Sequence, residues 1–276
     1  MTVLCLLVVA ALALPAAAVA DALKAGPTAL VNAVVDGDTV VLAEPALGAT
    51  QVRLVGIQAP KLPLGRADFP VWPLAEDSRQ ALAALVLGKR VALSFGGADK
   101  DRHGRLLAHL RLGDGAWVQG RMLGLGMARV YSFADNRAMV AEMLAIERDA
   151  RAARRGIWGH PFYAVRGAGE TARDVGTFQL VEGRVVKAAK VKSTVYLNFG
   201  ADWRSDFTVV IDAGARRLFK KSGVDPLGFE GRDVRVRGWL KAFNGPMIAV
   251  SHPEQIEPAG SAAPTAPPPA PAAPGR

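Results

Sequence analysis

A hairpin signal at residues 29–42 constrains this chain more than any other feature. The run ALVNAVV, Ala29 to Val35, meets the turn Asp36-Gly37-Asp38 and resumes as TVVL, Thr39 to Leu42. Two β-prone runs joined by an Asp/Gly turn pair antiparallel. A two-stranded ribbon is not stable alone in water, so further strands must join it. Gln51 to Ile57 is a third strand, and Arg90 to Phe95 and Arg105 to Leu112 are two more. Between them a helix is expected from about Leu74 to Leu87, ended by Gly88. Asn136 to Arg155 is the clearest helix: Met139, Met143, Ile146 and Ala150 form one stripe, and Gly156 offers a left-handed cap. Arg148, Arg151 and Arg155 share another face, expected to be solvated.

After His160 the chain changes character. Residues 164–177 are Gly- and charge-rich, as in a linker. Then come Phe178 to Val186, Thr194 to Phe199, Phe207 to Ile211, a short helix at Ala215 to Lys221, Asp233 to Leu240 and Met247 to Val250. Three strands, a helix and two strands is the order of a five-stranded OB barrel, so residues 178–257 are expected to form a second, smaller OB-like domain. Arg235, Arg237, Trp239 and Lys241 alternate onto one side of a strand, with Tyr196, Trp203 and Arg204 nearby. Such a mixture suits single-stranded nucleic acid. It suits equally a set of rings packed in a core or against the neighbouring domain.

The chain has 276 residues, half of them hydrophobic, with a formal charge of +9. A basic excess of this size favours a polyanionic partner or an anionic surface, although a merely solvated basic surface has the same composition. Residues 1–20, MTVLCLLVVAALALPAAAVA, carry an apolar run and end in Ala18-Val19-Ala20, as in a cleavable signal peptide. The run is short for a spanning helix, so no membrane span is expected in the mature chain. Export to the periplasm or medium is expected, and removal of residues 1–20 takes away Cys5, the one cysteine. Residues 258–276 are Pro/Ala-rich, as in a disordered or extended tail. Four histidines without a cysteine cluster give no zinc spacing, and there is no Walker loop or G-x-S-x-G elbow.

Four stretches, VVDGDTVVL, VRLVGIQAP, DKDRHGRLLAHL and RGIWGHPFY, follow in order. Together they resemble the staphylococcal nuclease (thermonuclease) family over residues 27–163. The resemblance implies a five-stranded OB barrel with three helices, hence a mainly β (α+β) protein. It also implies Ca²⁺-assisted attack of water on a phosphodiester of DNA or RNA. That reaction gathers negative charge on the equatorial phosphate oxygens, which planar guanidinium groups meet with paired hydrogen bonds. By resemblance Arg53 and Arg105 are those two catalytic and substrate-binding arginines. Asp38 is the first metal-binding aspartate, and Asp101 opens the loop before Arg105 without a catalytic role.

The family pattern then breaks. Where it has a second metal-binding aspartate, a residue ligating through its carbonyl, a proline and a general-base glutamate, this chain has Gln58, Ala59, Pro60 and Lys61. A metal set of Asp38, Gln58 and Ala59 holds one carboxylate, so Ca²⁺ is expected to bind weakly or not at all. An ammonium holds its proton at neutral pH and cannot act as general base. Lys61 is instead expected to stand in for part of the metal's charge, giving a metal-free phosphate pocket lined by Arg53, Arg105 and Lys61. Asp68, Glu76, Asp77 and His103 are the candidates for a substitute base. Three functions follow: an exported binder of single-stranded DNA or RNA with hydrolysis weak or lost, an active Ca²⁺-dependent nuclease with a substitute base, or an envelope protein-interaction module.

Overall fold

The computed structural model describes residues 23–260. The expected signal peptide, Cys5 and the tail from residue 261 onward lie outside the described residues.

The first barrel starts with β1 (Lys24–Asp36), β2 (Thr39–Ala46) and β3 (Ala49–Leu54). Register shifts bend β1, so that Lys24 to Leu30 pair with one neighbour and Val31 to Asp36 with another. A short β4 (Gly56–Gln58) follows. The expected single strand from Gln51 to Ile57 is thus broken: Gly56 has φ +83°, and a Cβ there would overlap the Met143 side chain. Next come α1 (Ala75–Val86), β5 (Arg90–Phe95), β6 (Leu106–Arg111), α2 (Val118–Gly124), β7 (Arg129–Tyr131) and α3 (Val140–Ala152). The strands close in the order β1-β2-β3-β6-β5, with β3 and β6 parallel. β4 pairs with β7 beside the barrel.

This is the expected five-stranded OB barrel with three helices. Val40, Val52, Leu54, Leu93 and Leu110 fill its centre, and Leu82, Leu123 and Met143 bring one helix each against it. Each such fully buried side chain contributes about 1.5–3 kcal/mol. Two elements were not expected from the sequence. α2 is short and holds two glycines, and it is held by tertiary bonds: the buried Gln119 carboxamide donates to Ala108 and accepts from Leu110, both on β6. β7 is only three residues long.

Residues 164–177 are ordered rather than a free linker. β8 (Arg166–Gly167) pairs parallel with β9 (Phe178–Arg184), and a 3-10 helix at Ala168–Asp174 buries Thr171. The second sheet continues with β10 (Lys187–Val191), β11 (Thr194–Asn198), β12 (Thr208–Ile211), α4 (Ala213–Lys221), β13 (Asp233–Phe243), β14 (Gly245–Ala249) and β15 (Ile256–Pro258). Its order is β10-β11-β12-β14-β13-β9, again with a parallel pair, β12 and β14. β9 and β10, at opposite ends of this order, are consecutive in the chain, parted only by Val185 and Val186. The expected first strand, Phe178 to Val186, thus ends at Arg184. Ile211, Phe219, Val236, Leu240 and Ile248 make its separate core.

The two barrels meet over a third cluster, with Ile157, Trp158 and Tyr163 from one side and Phe178 and Leu180 from the other. A buried ion network lies beside it. Arg237, 2% exposed, donates to Glu147 at 2.9 and 3.1 Å and to Glu257 at 2.8 Å. Arg151 joins Glu147 at 2.9 Å and Glu257 at 3.4 Å, and Arg148 reaches Glu257 at 3.8 Å. The arginine face of α3 expected to be solvated is therefore largely an interface. Arg155 alone stays outside the network, its guanidinium exposed and donating to the Gly124 carbonyl at 3.3 Å. The second expected surface divides: Arg237 is buried at the interface and Trp239 donates to Tyr131 of the first barrel, whereas Trp203 stays exposed and lines a groove with Tyr196. Among the described residues no helix is long and apolar enough to cross a membrane.

Candidate functional site

The hairpin turn between β1 and β2 places the first functional side chains. Gly37 is required there by packing, since a Cβ would lie 1.9 Å from Ser78 Oγ and 2.7 Å from Ala59 Cβ. The turn is thereby pressed between α1 and the Gln58–Lys61 segment, and Asp38 is fully buried. Its carboxylate accepts the Ala59 N–H at 2.7 Å, and its own N–H donates to Asp36 Oδ1 at 3.1 Å.

Two cations neutralise the pair of aspartates. Lys61 Nζ lies 2.7 and 2.9 Å from the two oxygens of Asp38 and 3.1 Å from Asp36. Arg53 reaches Asp38 Oδ2 at 3.2 Å. Burial alone would raise the Asp38 carboxyl, but Arg53 and Lys61 more than reverse this and hold it well below the usual carboxylate range. Asp36 is pushed up, by burial first and then by the neighbouring Asp38, against the pull of Lys61.

The expected metal set does not assemble. Asp38 is bound to an ammonium and a guanidinium. Gln58 points its oxygen at Arg129, which donates to it at 2.7 and 2.9 Å. Ala59 touches Asp38 through its N–H rather than joining it around an ion. Among the described residues no group of three or more His, Cys, Asp or Glu could hold a metal. A divalent cation at Asp38 would have to displace the Lys61 ammonium, so these residues do not fit Ca²⁺. Arg129 explains Gln58. It is 3% exposed, burial lowers its pKa to about 10, and it lies 4.6 Å over the Phe178 ring. The amide oxygen and the ring faces are what stabilise that buried cation.

Arg53 and Arg105 do come together, lining one cavity of about 490 Å³. Arg53 is held rigidly: it donates to the carbonyls of Leu54 at 2.8 Å and Ile57 at 2.7 Å. Arg105 is braced by Asp101, with contacts at 2.8 and 2.6 Å. Asp101 is held below the ordinary range by these bonds despite partial burial, which suits a brace and not a base. Lys61 is not part of this cavity's lining; it stands behind Arg53, on the shared Asp38 carboxylate. Tyr131 and Phe133 supply an aromatic wall, their rings meeting edge to face at 4.9 Å.

The expected substitute bases do not gather here. Asp68 and Asp77 are exposed, and Glu76 is engaged by Arg79 and Gln80. His103 lines the cavity, but its Nε2 accepts from Arg102 Nε at 3.1 Å. Asp135, which also lines it, carries no motif in the sequence. Asp36 was legible as the first residue of the Asp-Gly-Asp turn. Arg129 and Tyr131 had no signal beyond a short β-prone triplet.

The comparisons with known proteins bear on this barrel. The family model for "Staphylococcal nuclease homologue" matches residues 51–160, from β3 through the turn after α3. Endonuclease YhcR of Bacillus subtilis (strain 168) is 30% identical over 135 residues, 47% of this chain but 11% of that protein. An uncharacterized endonuclease of Escherichia coli O157:H7 is 30% identical over 125 residues, 45% of this chain and 72% of that protein. The thermonuclease of Staphylococcus intermedius is 28% identical over 134 residues, 48% of this chain and 77% of that protein. The matched residues carry the strands that place Arg53 and Arg105, inside a five-stranded barrel with three helices, and on this sequence and structural agreement the chain belongs to the staphylococcal nuclease family.

Proposed function

We propose that this protein is an exported nucleic-acid-binding member of its family in which phosphodiester hydrolysis is weak or lost. The observation that carries the proposal is the Lys61 ammonium seated on Asp38 and Asp36. It supplies, from within the chain, positive charge that a metal would otherwise bring. It also removes the carboxylate that would have activated water. Arg53 and Arg105 then act as binding groups. A phosphate in the cavity meets two oriented guanidinium groups, each kept in place by internal bonds, and its base can rest against Tyr131 and Phe133. Single-stranded DNA and RNA both fit this chemistry. Export belongs to the proposal and is supported by the apolar leader at residues 1–20.

A labelled single-stranded oligonucleotide tests both halves. Binding should weaken steeply with salt as counterions are released, and Arg105→Ala should lower both affinity and salt slope. Cleavage should be negligible with calcium or with EDTA. The double variant Gln58→Asp, Lys61→Glu restores the family's carboxylates and should gain calcium-dependent cleavage. Robust calcium-dependent cleavage by the unaltered chain would sink the proposal. One observation favours that second reading, an active nuclease: Asp135 in the cavity wall. In that case Asp135→Asn should abolish cleavage. The protein-contact reading would show as no salt-dependent DNA binding.

A further inference from the structure

One side of β13 joins the cavity of the first barrel to a groove on the second. Arg237, Trp239, Lys241 and Phe243 alternate onto that side. Arg237 is sealed beneath the first barrel. Trp239 Nε1 donates to Tyr131 Oη at 3.0 Å, and Tyr131 lines the Arg53–Arg105 cavity. Two residues on, Lys241 pairs in register with Met247. Phe243 and Met247 then line a separate groove of about 390 Å³ with Tyr196, Trp203 and Val191. From Trp239 to Phe243 the strand runs only about 13 Å.

The groove is unpartnered. Phe243 is 60% exposed, Val191 55% and Trp203 50%. It stands on β10, β11, β12 and the β13–β14 hairpin, the side on which OB barrels take oligonucleotides or oligosaccharides. The charge around it selects between these. Arg204 stacks 4.4 Å over the Trp203 ring, and Lys241 makes no ion pair among the described residues. The acids of the same loop are engaged within the loop itself: Asp206 accepts the Asp202 N–H at 2.8 Å, and Asp202 accepts from Arg204 N at 3.1 Å and Ser205 Oγ at 3.0 Å. An aromatic floor with a cationic rim fits flat bases on a phosphate backbone. A neutral sugar chain or an apolar peptide leaves the cations unused.

We infer that the groove stacks the bases of the same single strand whose phosphate enters the Arg53–Arg105 cavity, with Trp239 and Lys241 as the bridge. The inference rests on the phosphate-binding reading above. The two barrels are then one binding track, and the buried interface between them fixes the spacing of its two halves.

The test is fluorescence anisotropy of a labelled oligothymidylate of about 16 nucleotides, the upper site size of one OB fold. It uses the full chain and the variants Trp203→Ala, Phe243→Ala and Arg105→Ala, each checked for native circular dichroism. Either groove variant should weaken binding roughly 5- to 150-fold, the effect of removing one stacking ring. Trp203 emission should be quenched by the strand, a signal absent in Trp203→Phe. Unchanged affinity in both groove variants with loss in Arg105→Ala would overturn the track and leave the phosphate reading standing. Loss in the groove variants alone would overturn the reading of the cavity, and the single track with it. A hydrophobic dye that fills the groove and is not displaced by the strand would assign it to an apolar protein partner instead. No binding by the unaltered chain at low salt would end both.

Discussion

Two clusters of buried acids and their cations, both among the described residues, differ in what surrounds them. At the hairpin turn, Asp36 and Asp38 face Lys61 and Arg53. Between the barrels, Glu147 and Glu257 face Arg237 and Arg151, with Arg148 and Arg235 at the margin of Glu257. In the first group both cations keep some access to water, Lys61 at 20% and Arg53 at 12% side-chain exposure. In the second, the central pair Arg237 and Glu147 is at 2% and 0%, and water reaches only the outer arginines, Arg151 at 13% among them. A buried charge must be neutralised wherever it lies. The difference teaches that neutralisation alone does not make a site. The hairpin group can exchange with solvent and adjoins a cavity that can take a phosphate. The interface group is sealed at its centre, Arg237 with Glu147, and its effect is to fix how the barrels sit.

The largest expected effect is at the closed group. Glu147 holds Arg237 and Arg151 and accepts the Val130 N–H, and the two arginines pull its carboxyl below the ordinary range in spite of burial. Glu147→Ala should cost about 3–5 kcal/mol in denaturant unfolding, because it strands buried cations. A loss under about 1 kcal/mol would break the contrast between a sealed and an open group.

Acid should attack next. His109 and His252 are buried, and burial first of all lowers each to about 4. His252 is also bridged between Ser132 Oγ at 2.7 Å and Ser251 Oγ at 2.9 Å. A histidine whose folded pKa is depressed contributes stability above its unfolded value of about 6.5, and that contribution disappears as pH falls toward 4. Each should be worth on the order of 3 kcal/mol over that window. Thermal unfolding between pH 7 and 4 checks the slope, and His252→Gln should flatten the part that belongs to the interface.

Lys61→Ala should be milder, about 1–3 kcal/mol, because water can reach the vacated place. It leaves two adjacent carboxylates with Arg53 alone, so Asp38 should titrate at higher pH than in the native chain. Affinity for calcium should rise, measurable by calorimetric titration. If stability falls as far as in Glu147→Ala, the hairpin group is as closed as the interface. The smallest effect marks the baseline. Arg184 and Asp233 pair at 3.6 Å with 65% and 60% of their side chains exposed, and Arg184→Ala should cost less than about 1 kcal/mol.

Much of the fold was legible because its signals are local. The Asp-Gly-Asp turn, Gly88 after α1 and the stripe on α3 act over a few residues, and these elements formed within a few residues of expectation. Val118–Gly124 escaped because its helix depends on Gln119 bonding to β6, not on propensity. The site was half legible. Arg53 and Arg105 line one cavity without the Lys61 expected beside them, and Gln58 serves Arg129, 71 residues away. The linker hid an ordered strand and 3-10 helix, because two residues on a neighbour's edge leave no periodicity to read.

The sequence by itself determined the succession of strands and the presence of Arg53, Arg105, Gln58 and Lys61, each a matter of residue type and spacing along the chain. That Gln58 and Lys61 stand where carboxylates are expected came from the family resemblance. Only the tertiary structure decided where the charges went: Lys61 to the turn 23 residues back, Arg237 to a helix 90 residues back, Arg129 to the Gln58 amide 71 residues back. The physical reason is that a charge taken out of water needs a partner within hydrogen-bond reach. Which partner it finds depends on the closure of the barrels and not on proximity in the chain.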